Sequence, residues 1–421
     1  MISPMTKLLG ENGWTGGQYS LFRLIFGGYL FVHFAHLVPW GAEMYSNRGV
    51  LPDAAASPLI KLFPNILAIY DTPWFVTALL VLAVPLAAML AIGWRDRIAA
   101  VGLWYLWACF FGRNPLTANP GLPYVGLMLL THALVPAAPY GSVAARGRTD
   151  PGGGWVMPRS VFTVVWILMA AGYTYSGVMK LSSPSWLDGS AFRHVLENPL
   201  ARPTVLRTAL LALPPIVLSV ATWAGLFLEI SFALLALIRR LRPWAWLAAL
   251  FMHLSLMAVI DFADLSLGMV MLHLFTFNPA WVRPARDAPG ATVFYDGHCG
   301  LCHRTVRFVL AEDFRGAFRF APLQGETFEK SVDAGRRAEL PDSVIVMTGD
   351  GALLTRSAAI LFLLRGLGGA WRVIGAAGGM IPRVVRDAAY DVVARVRKKI
   401  FAQPAEMCPM LPAGLRGRFG H

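Results

Sequence analysis

Long apolar runs alternate with short polar connections through the first two-thirds of the chain, and each run approaches the roughly 20 residues needed to cross a bilayer as a helix. The pattern predicts helices over Tyr19–Val38, Pro73–Gly93, Ile98–Gly112, Leu122–Pro136, Ser160–Leu181, Ile216–Ile238, Pro243–Ile260 and Leu265–Pro279. The third and fourth are short for a perpendicular span. Basic residues gather in Trp94-Arg-Asp-Arg97, in Ala144-Ala-Arg-Gly-Arg148 with Arg159, and in Arg239-Arg-Leu-Arg242. If these connections face the cytoplasm, as basic loops do, eight spans alternate and both termini lie inside, as expected for a bacterial inner-membrane protein. The first apolar run has no basic leader before it and reads as a retained span rather than a cleaved signal.

The pattern changes after Trp281-Val-Arg-Pro-Ala-Arg-Asp-Ala-Pro-Gly290, whose prolines and small residues mark a linker. The chain thus divides into a helical membrane domain (1–281), a linker (282–290) and a second domain (291–421). In the second domain Ala291–Tyr295 reads as a buried strand, His303–Glu312 as a helix, and Phe318–Ala321 and Ser343–Thr348 as further strands. Helices over Ser357–Arg365, Ala370–Ala376 and Ile381–Phe401 are expected to pack the sheet. A strand, a Cys-x-x-Cys and a helix opening a small α/β domain is the thioredoxin-like arrangement.

Composition supports the division. Of 421 residues 56% are hydrophobic and only 14% charged, against about 25% charged in soluble domains. The net charge of +13 sits mainly in connections and in the second domain, which holds 18 basic and 12 acidic residues. That is membrane topology rather than a nucleic-acid surface, and no nucleic-acid-reading motif accompanies it.

Four cysteines, Cys109, Cys299, Cys302 and Cys408, are too few for a disulfide scaffold. Cys299 and Cys302 lie in Tyr295-Asp-Gly-His-Cys-Gly-Leu-Cys302, followed by His303, and allow three chemistries. In the redox reading a helix N-terminus favours the Cys299 thiolate, and Cys302, one turn on, closes the disulfide. Asp296-Gly297 forms the turn, and His298 and Arg304 add polar or positive character. The zinc reading lacks a second ligand pair. The haem reading takes His303 as axial ligand but needs an extracytoplasmic site. Cysteines that merely fill the core are a fourth possibility, although a glycine-flanked pair at a turn is poorly placed for it. Pro341, before the third strand, stands where a cis-proline would flank a thioredoxin dithiol.

Tyr295-Asp-Gly-His-Cys-Gly-Leu-Cys302 resembles the signature of the DCC thiol–disulfide oxidoreductase-like family. Phe320-Ala-Pro-Leu-Gln324, Asp342-Ser-Val-Ile-Val346, Arg356-Ser-Ala-Ala-Ile360 and the ending through Cys408-Pro409 are similar to its later blocks. The resemblance implies a thioredoxin-like fold with Cys299 and Cys302 as redox pair; Cys408 is then a structural or a resolving cysteine.

Residues 21–52 and Tyr173-Thr-Tyr-Ser-Gly-Val-Met-Lys-Leu-Ser-Ser-Pro-Ser-Trp-Leu-Asp-Gly189 resemble the HTTM domain shared with vitamin K-dependent γ-glutamyl carboxylase, as do Glu229, Phe251-Met-His253 and Leu267-Gly-Met-Val270. The resemblance implies that Lys180 is a base meeting reduced vitamin K and oxygen, with Tyr175, Gly177 and Trp186 around it. Desolvation at the end of an apolar helix is compatible with such a base, and so is a lysine that only snorkels to the interface. The chain departs from the carboxylase at Asn119-Pro-Gly-Leu-Pro-Tyr124, which lacks a histidine, and has no long lumenal substrate region. Within the spans, Arg23 is expected to snorkel, His33 and His36 share a face, and His253 is expected to pair with Glu229 across helices. The spacing of His132, His253 and His273 gives no metal signature.

These readings converge on an integral membrane thiol–disulfide oxidoreductase that acts on an unknown thiol or disulfide and exchanges electrons with a quinone or lipid in the bundle. The alternatives are a carboxylase- or epoxidase-like enzyme using Lys180 as base, and a non-enzymatic membrane protein whose dithiol senses redox state.

Overall fold

The computed structural model describes residues 12–261, 263–401 and 412–420; Cys408 lies outside them. The chain forms two compact units.

The first unit comprises Phe22–Val135 and Pro158–Phe277 among the described residues. Its helices are α1 (Gly16–Leu37, from residue 22), α2 (Pro73–Ile92), α3 (Asp96–Arg113), α4 (Leu122–Leu134), α5 (Arg159–Lys180), α6 (Pro215–Leu237), α7 (Arg242–Val259) and α8 (Ala263–Thr276). Each expected apolar run is a helix. Four of them, α1, α2, α5 and α6, with 20 to 23 residues, are long and apolar enough to cross a membrane. The chain is a membrane protein.

The buried arginines and carboxylates described in this unit have polar partners, because an unpaired buried charge is costly. Arg23 does not snorkel: it is 1% exposed, and its Nη1 lies 3.5 Å from Asp96 Oδ2. Nε2 of His132 approaches the same oxygen at 3.4 Å. Asp96 opens α3, where the positive end of the helix dipole favours a carboxylate. An arginine that meets a buried carboxylate inside the unit gains more by pairing than by reaching for the interface. Arg113 is likewise buried, and its guanidinium takes Asp71 Oδ2 at 2.9 Å and the Leu51 carbonyl at 2.8 Å.

The second unit comprises Asn12–Leu21, Pro136–Met157 and residues 278 onward. The first two segments, which the hydrophobic pattern assigns to the helical domain, pack here. Four strands, β1 (Ala291–Tyr295), β2 (Phe318–Pro322), β3 (Ile345–Met347) and β4 (Leu353–Thr355), form a sheet of order β2-β1-β3-β4. β1 runs parallel to β2 and antiparallel to β3, and β3 and β4 form an antiparallel hairpin. The connection between the parallel strands is α9 (Gly300–Glu312). α10 (Arg356–Leu367), α11 (Gly369–Gly379) and α12 (Arg383–Ile400) follow the hairpin.

β1 is apolar at four of five positions because both faces of the sheet are covered. Val293 and Tyr295 join Phe318, Phe320 and Val346 against α9 and α10. Phe294, Ala321 and Ile345 pack on the other face against Phe328 and Val332. At the β2 edge residues 418–420 add a short parallel bridge. Phe320 N donates to Arg418 O at 2.9 Å, Gly420 N donates to Phe320 O at 2.8 Å, and the rings of Phe320 and Phe419 stack. This satisfies backbone groups that an open edge would leave unpaired.

α12 is turned contrary to habit. Its polar residues Asp387, Tyr390 and Arg397 face the unit, while Val384, Val385, Val392 and Ile400 are exposed. Asp387 accepts from Ser357, and the Tyr390 hydroxyl accepts from Val344 N.

Candidate functional site: the dithiol and the lysine–glutamate pair

The dithiol sits where β1 ends and α9 begins. α9 starts at Gly300, three residues before the expected start, so Cys299 is its N-cap residue and Cys302 lies in its first turn. The first N–H groups of a helix have no intrahelical acceptor and converge on this end. The turn between strand and helix is held by side chains. Asp296 Oδ1 accepts from His298 N at 3.0 Å and from Gln324 Nε2 at 3.1 Å, and Gln324 Oε1 accepts from Gly297 N at 3.1 Å. His303 is buried, its ring edge-on to Tyr295, and its Nε2 donates to the Gly297 carbonyl at 3.0 Å. It is a brace for the turn, already engaged where a haem site would need it as a ligand.

Both sulfurs are buried, each residue 2% exposed. Burial first, and then the Cys299 side chain beside it, push the Cys302 thiol up to about 12, while Arg397 pulls the other way. Arg397 loses stability for its charge by burial, yet Cys302, Asp342 and Cys299 together leave its own value raised. Its Nη2 donates to Asp342 Oδ1 at 2.5 Å. Burial likewise raises Tyr390 above the ordinary phenol value. Beside Cys302 opens an apolar cavity of about 400 Å³, with Arg386, Tyr390 and Arg397 of α12 among its walls.

Of the residues expected around the dithiol, Asp296 and Gly297 make its turn, and His298 is exposed with only its backbone engaged. Arg304 is exposed and lies over the Phe401 ring. Pro341 does not supply a cis bond, since no peptide bond among the described residues is cis; a bend follows it at Asp342 and Ser343. Gln324 and Arg397 escaped the sequence reading as site residues, and His303, read there only as a haem axial ligand, braces the turn instead. Gln324 was visible only inside a family block, and Arg397 lies 95 residues beyond Cys302.

In the helical unit Gly177 lets α5 and α6 touch. A Cβ there would lie 2.6 Å from the Ile230 nitrogen and 2.9 Å from the Glu229 carbonyl carbon. One turn on, Lys180 Nζ donates to both carboxylate oxygens of Glu229 at 2.6 and 2.5 Å, and Ser176 Oγ donates at 3.0 Å. The Lys180 ammonium lies 4.3 Å from the centroid of the Trp186 ring, a cation–π position. Lys180, Glu229 and Trp186 therefore come together as a group.

His253 does not pair with Glu229, whose oxygens are taken by Lys180 and Ser176. His253 Nε2 instead lies 2.7 Å from the Tyr173 hydroxyl. His273 Nδ1 donates to Met269 O at 2.9 Å, which leaves its Nε2 as acceptor toward the same hydroxyl at 3.5 Å. Nδ1 of His253 is buried without a hydrogen-bond partner. Tyr175, expected beside Lys180, is 67% exposed, whereas Tyr173 is buried. Two positions along a helix turn a side chain by about 200°, so only one of the two can face inward.

Two family models match the chain. One, described as the HTTM domain, covers residues 17–281, more than half of the chain, and the other, described as DCC1-like thiol-disulfide oxidoreductase, covers residues 293–403. The uncharacterized protein YuxK of Bacillus subtilis (strain 168) is 31% identical over 136 residues, 32% of this chain and 97% of that protein. No solved structure matches the chain. The chain belongs to the HTTM-domain family and carries, after that domain, a DCC1-like thiol-disulfide oxidoreductase domain.

Proposed function

We propose that the protein is an integral membrane thiol–disulfide oxidoreductase in which Cys299 and Cys302 cycle between dithiol and disulfide on a thioredoxin-like domain (291–421), joined by the linker 282–290 to a helical domain (1–281). The carrying observation is the placement of the two cysteines: Cys299 holds the N-cap position of α9, Cys302 lies in its first turn, and the Cys299 side chain helps raise the Cys302 thiol. A βαβ unit followed by a hairpin and a helix supports the thioredoxin-like reading. In this reading all eight helices cross the bilayer, and both termini and the dithiol are cytoplasmic. Thiol labelling from each side of sealed membranes tests the sidedness.

The direct test is turnover of an artificial disulfide or thiol by the purified full-length protein. Turnover is expected to be lost in Cys299→Ser and in Cys302→Ser. A dithiol that oxidises reversibly yet never turns over supports the redox sensor instead, and full turnover in both variants removes the proposal.

A second reading is favoured by the Lys180–Glu229 pair and its neighbours, since ionisable groups on apolar helices are functional candidates. In this reading Lys180, Glu229 and Trp186 receive the polar end of a quinone or a lipid. Extraction of detergent-purified protein, compared with Lys180→Met, tests it: bound quinone in the first and none in the second is the expected result, and none in either contradicts it.

A further inference from the structure

The cavity beside the dithiol has a wall chemistry that the redox reading leaves unused. It is bounded by α9, α10 and α12 and is apolar over most of its surface, with Leu301, Ile360 and Val393 among its walls. Its volume of about 400 Å³ lies in the range of small-molecule sites. Three features interrupt the apolar lining. Cys302 forms part of the wall, whereas Cys299 does not. Arg397 is 2% exposed and its Nε is buried with no hydrogen-bond partner. Arg386, 11 residues or about three turns before Arg397 on the same helix, has a buried Nε in the same condition.

A buried guanidinium donor left without an acceptor is uncommon in a native fold. One at the wall of a cavity points to an acceptor that occupies it, and an anionic acceptor is the strongest partner. Asp342 accepts from Nη2 of Arg397, not from its Nε. The cavity's polar wall arises from the setting of α12, which turns Arg386 and Arg397 toward it while Val384, Val385 and Val392 are exposed.

We infer that this cavity binds a small thiol with an apolar body and an anionic head group, the head held by Arg386 and Arg397 and the sulfur presented to Cys302. The inference rests on the redox reading of the dithiol and names its substrate class. With Cys299 and Cys302 each 2% exposed as residues, a folded protein substrate has no comparable approach.

The chemical step follows from which sulfur lines the cavity. In the oxidised protein the ligand thiolate attacks Sγ of Cys302, and the Cys299–Cys302 bond breaks. A ligand–Cys302 mixed disulfide forms, and the electron pair leaves on Cys299, which takes a proton from water. Cys299 is the leaving group because it is the sulfur outside the cavity wall, at the N-cap position of α9. A second thiolate then attacks the ligand sulfur of the mixed disulfide. The symmetrical small disulfide departs, and Cys302 takes a proton. Two thiols are oxidised and one protein disulfide is reduced. This sequence meets substrate at Cys302, opposite to the sequence-based expectation that Cys299 makes first contact.

The test uses oxidised full-length protein in detergent and three thiols of similar size: 3-mercaptopropionate (anionic), 2-mercaptoethanol (neutral) and cysteamine (cationic). The rate at which free Cys299 and Cys302 appear is normalised to each thiolate's concentration. The anionic thiol is expected to act at least about tenfold faster than the neutral one, the order of effect of one charge-assisted hydrogen bond. The cationic thiol is expected to be slowest. In Arg386→Gln and Arg397→Gln the anionic-to-neutral ratio is expected to fall toward one; Arg386, half-buried, is the variant that keeps the test if Arg397→Gln does not fold. Rapid alkylation and peptide mass analysis should place the trapped adduct on Cys302. Equal rates for the three thiols, an unchanged ratio in Arg386→Gln, or an adduct on Cys299 overturns the inference while leaving the dithiol reading intact. Failure of Cys299 and Cys302 to form a disulfide at all overturns the dithiol reading itself, and the inference with it.

Discussion

The carboxylate of Glu312, in the last turn of the helix that begins at the dithiol, accepts the backbone N–H of Gly17 in the first turn of α1 at 2.7 Å. The same carboxylate accepts from Trp371 Nε1 at 2.6 Å and from the Thr15 hydroxyl. It is 1% exposed, so three donors from two distant parts of the chain meet one buried charge. Burial pushes the Glu312 carboxyl above its ordinary value of 4.5, against the lowering effect of Thr15, Trp371, Gly17 and Gln18. Glu312→Ala leaves the Gly17 and Trp371 donors unsatisfied, at about 1–3 kcal/mol for each buried group. Faster hydrogen exchange at Gly17 checks this.

The same residue gives a pH dependence. The folded state holds the Glu312 proton more tightly than the unfolded state, so its contribution is most favourable at and below pH 4.5. It declines as pH rises through the raised folded value and is level above it. Glu312→Gln is expected to remove that decline, as measured by exchange of the residue 12–21 amides across the acidic range.

Close approach of α5 and α6 rests on Gly177. Gly177→Ala places a methyl 2.6 Å from backbone, and overpacking of this kind costs about 1–3 kcal/mol. A lower Tm in detergent is expected, with a larger loss in Lys180→Met than in the double variant Lys180→Met/Glu229→Leu, because the single change leaves Glu229 buried at 7% side-chain exposure without its cation. A double variant less stable than both single ones contradicts the pairing.

The β2 edge depends on the final residues. Phe419→Ala removes a ring stacked on Phe320 at 5.2 Å between centroids. A loss of about 1–3 kcal/mol is expected for this half-buried aromatic. Thermal unfolding followed by the aromatic signal of this unit measures it.

Much of this arrangement was legible because it is local. The apolar runs gave all eight helices of the first unit, and β1 has the bounds its five residues suggest. What escaped depends on partners distant in sequence. Arg23 finds Asp96 on another helix, which His132 also approaches, and Glu229 finds Lys180 rather than His253. The hydrophobic pattern carried no sign that residues 12–21 and 136–157 pack with the dithiol unit, since Glu312 and Gly17 are 295 positions apart. β4, only three residues long and half-buried, is too short to show a period. The dithiol itself was readable from spacing, but its cavity was not, because Arg386 and Arg397 come from a helix whose valines face outward.

The elevated Cys302 thiol predicts an ordering of reactivity. In the reduced protein, alkylation at Cys302 by iodoacetamide is expected to keep accelerating as pH rises toward about 12, because the thiolate is the nucleophile. Arg397→Gln is expected to slow it at any fixed pH by removing the charge that favours that thiolate. Peptide-resolved mass analysis reads the two cysteines separately, and a rate at Cys302 that levels off near pH 8 contradicts the assignment.

The central claim is that Cys299 and Cys302 form one redox couple, and a redox titration of the full-length protein tests it most directly. Samples equilibrated in thiol–disulfide buffers are quenched by alkylation, and free thiols are counted by mass. A single two-electron transition is expected, with a tenfold change in the oxidised-to-reduced ratio for every ~30 mV, absent from Cys299→Ser and from Cys302→Ser. Thiols that stay unpaired across the whole range, or a disulfide from either residue to Cys109 or Cys408, would contradict the account.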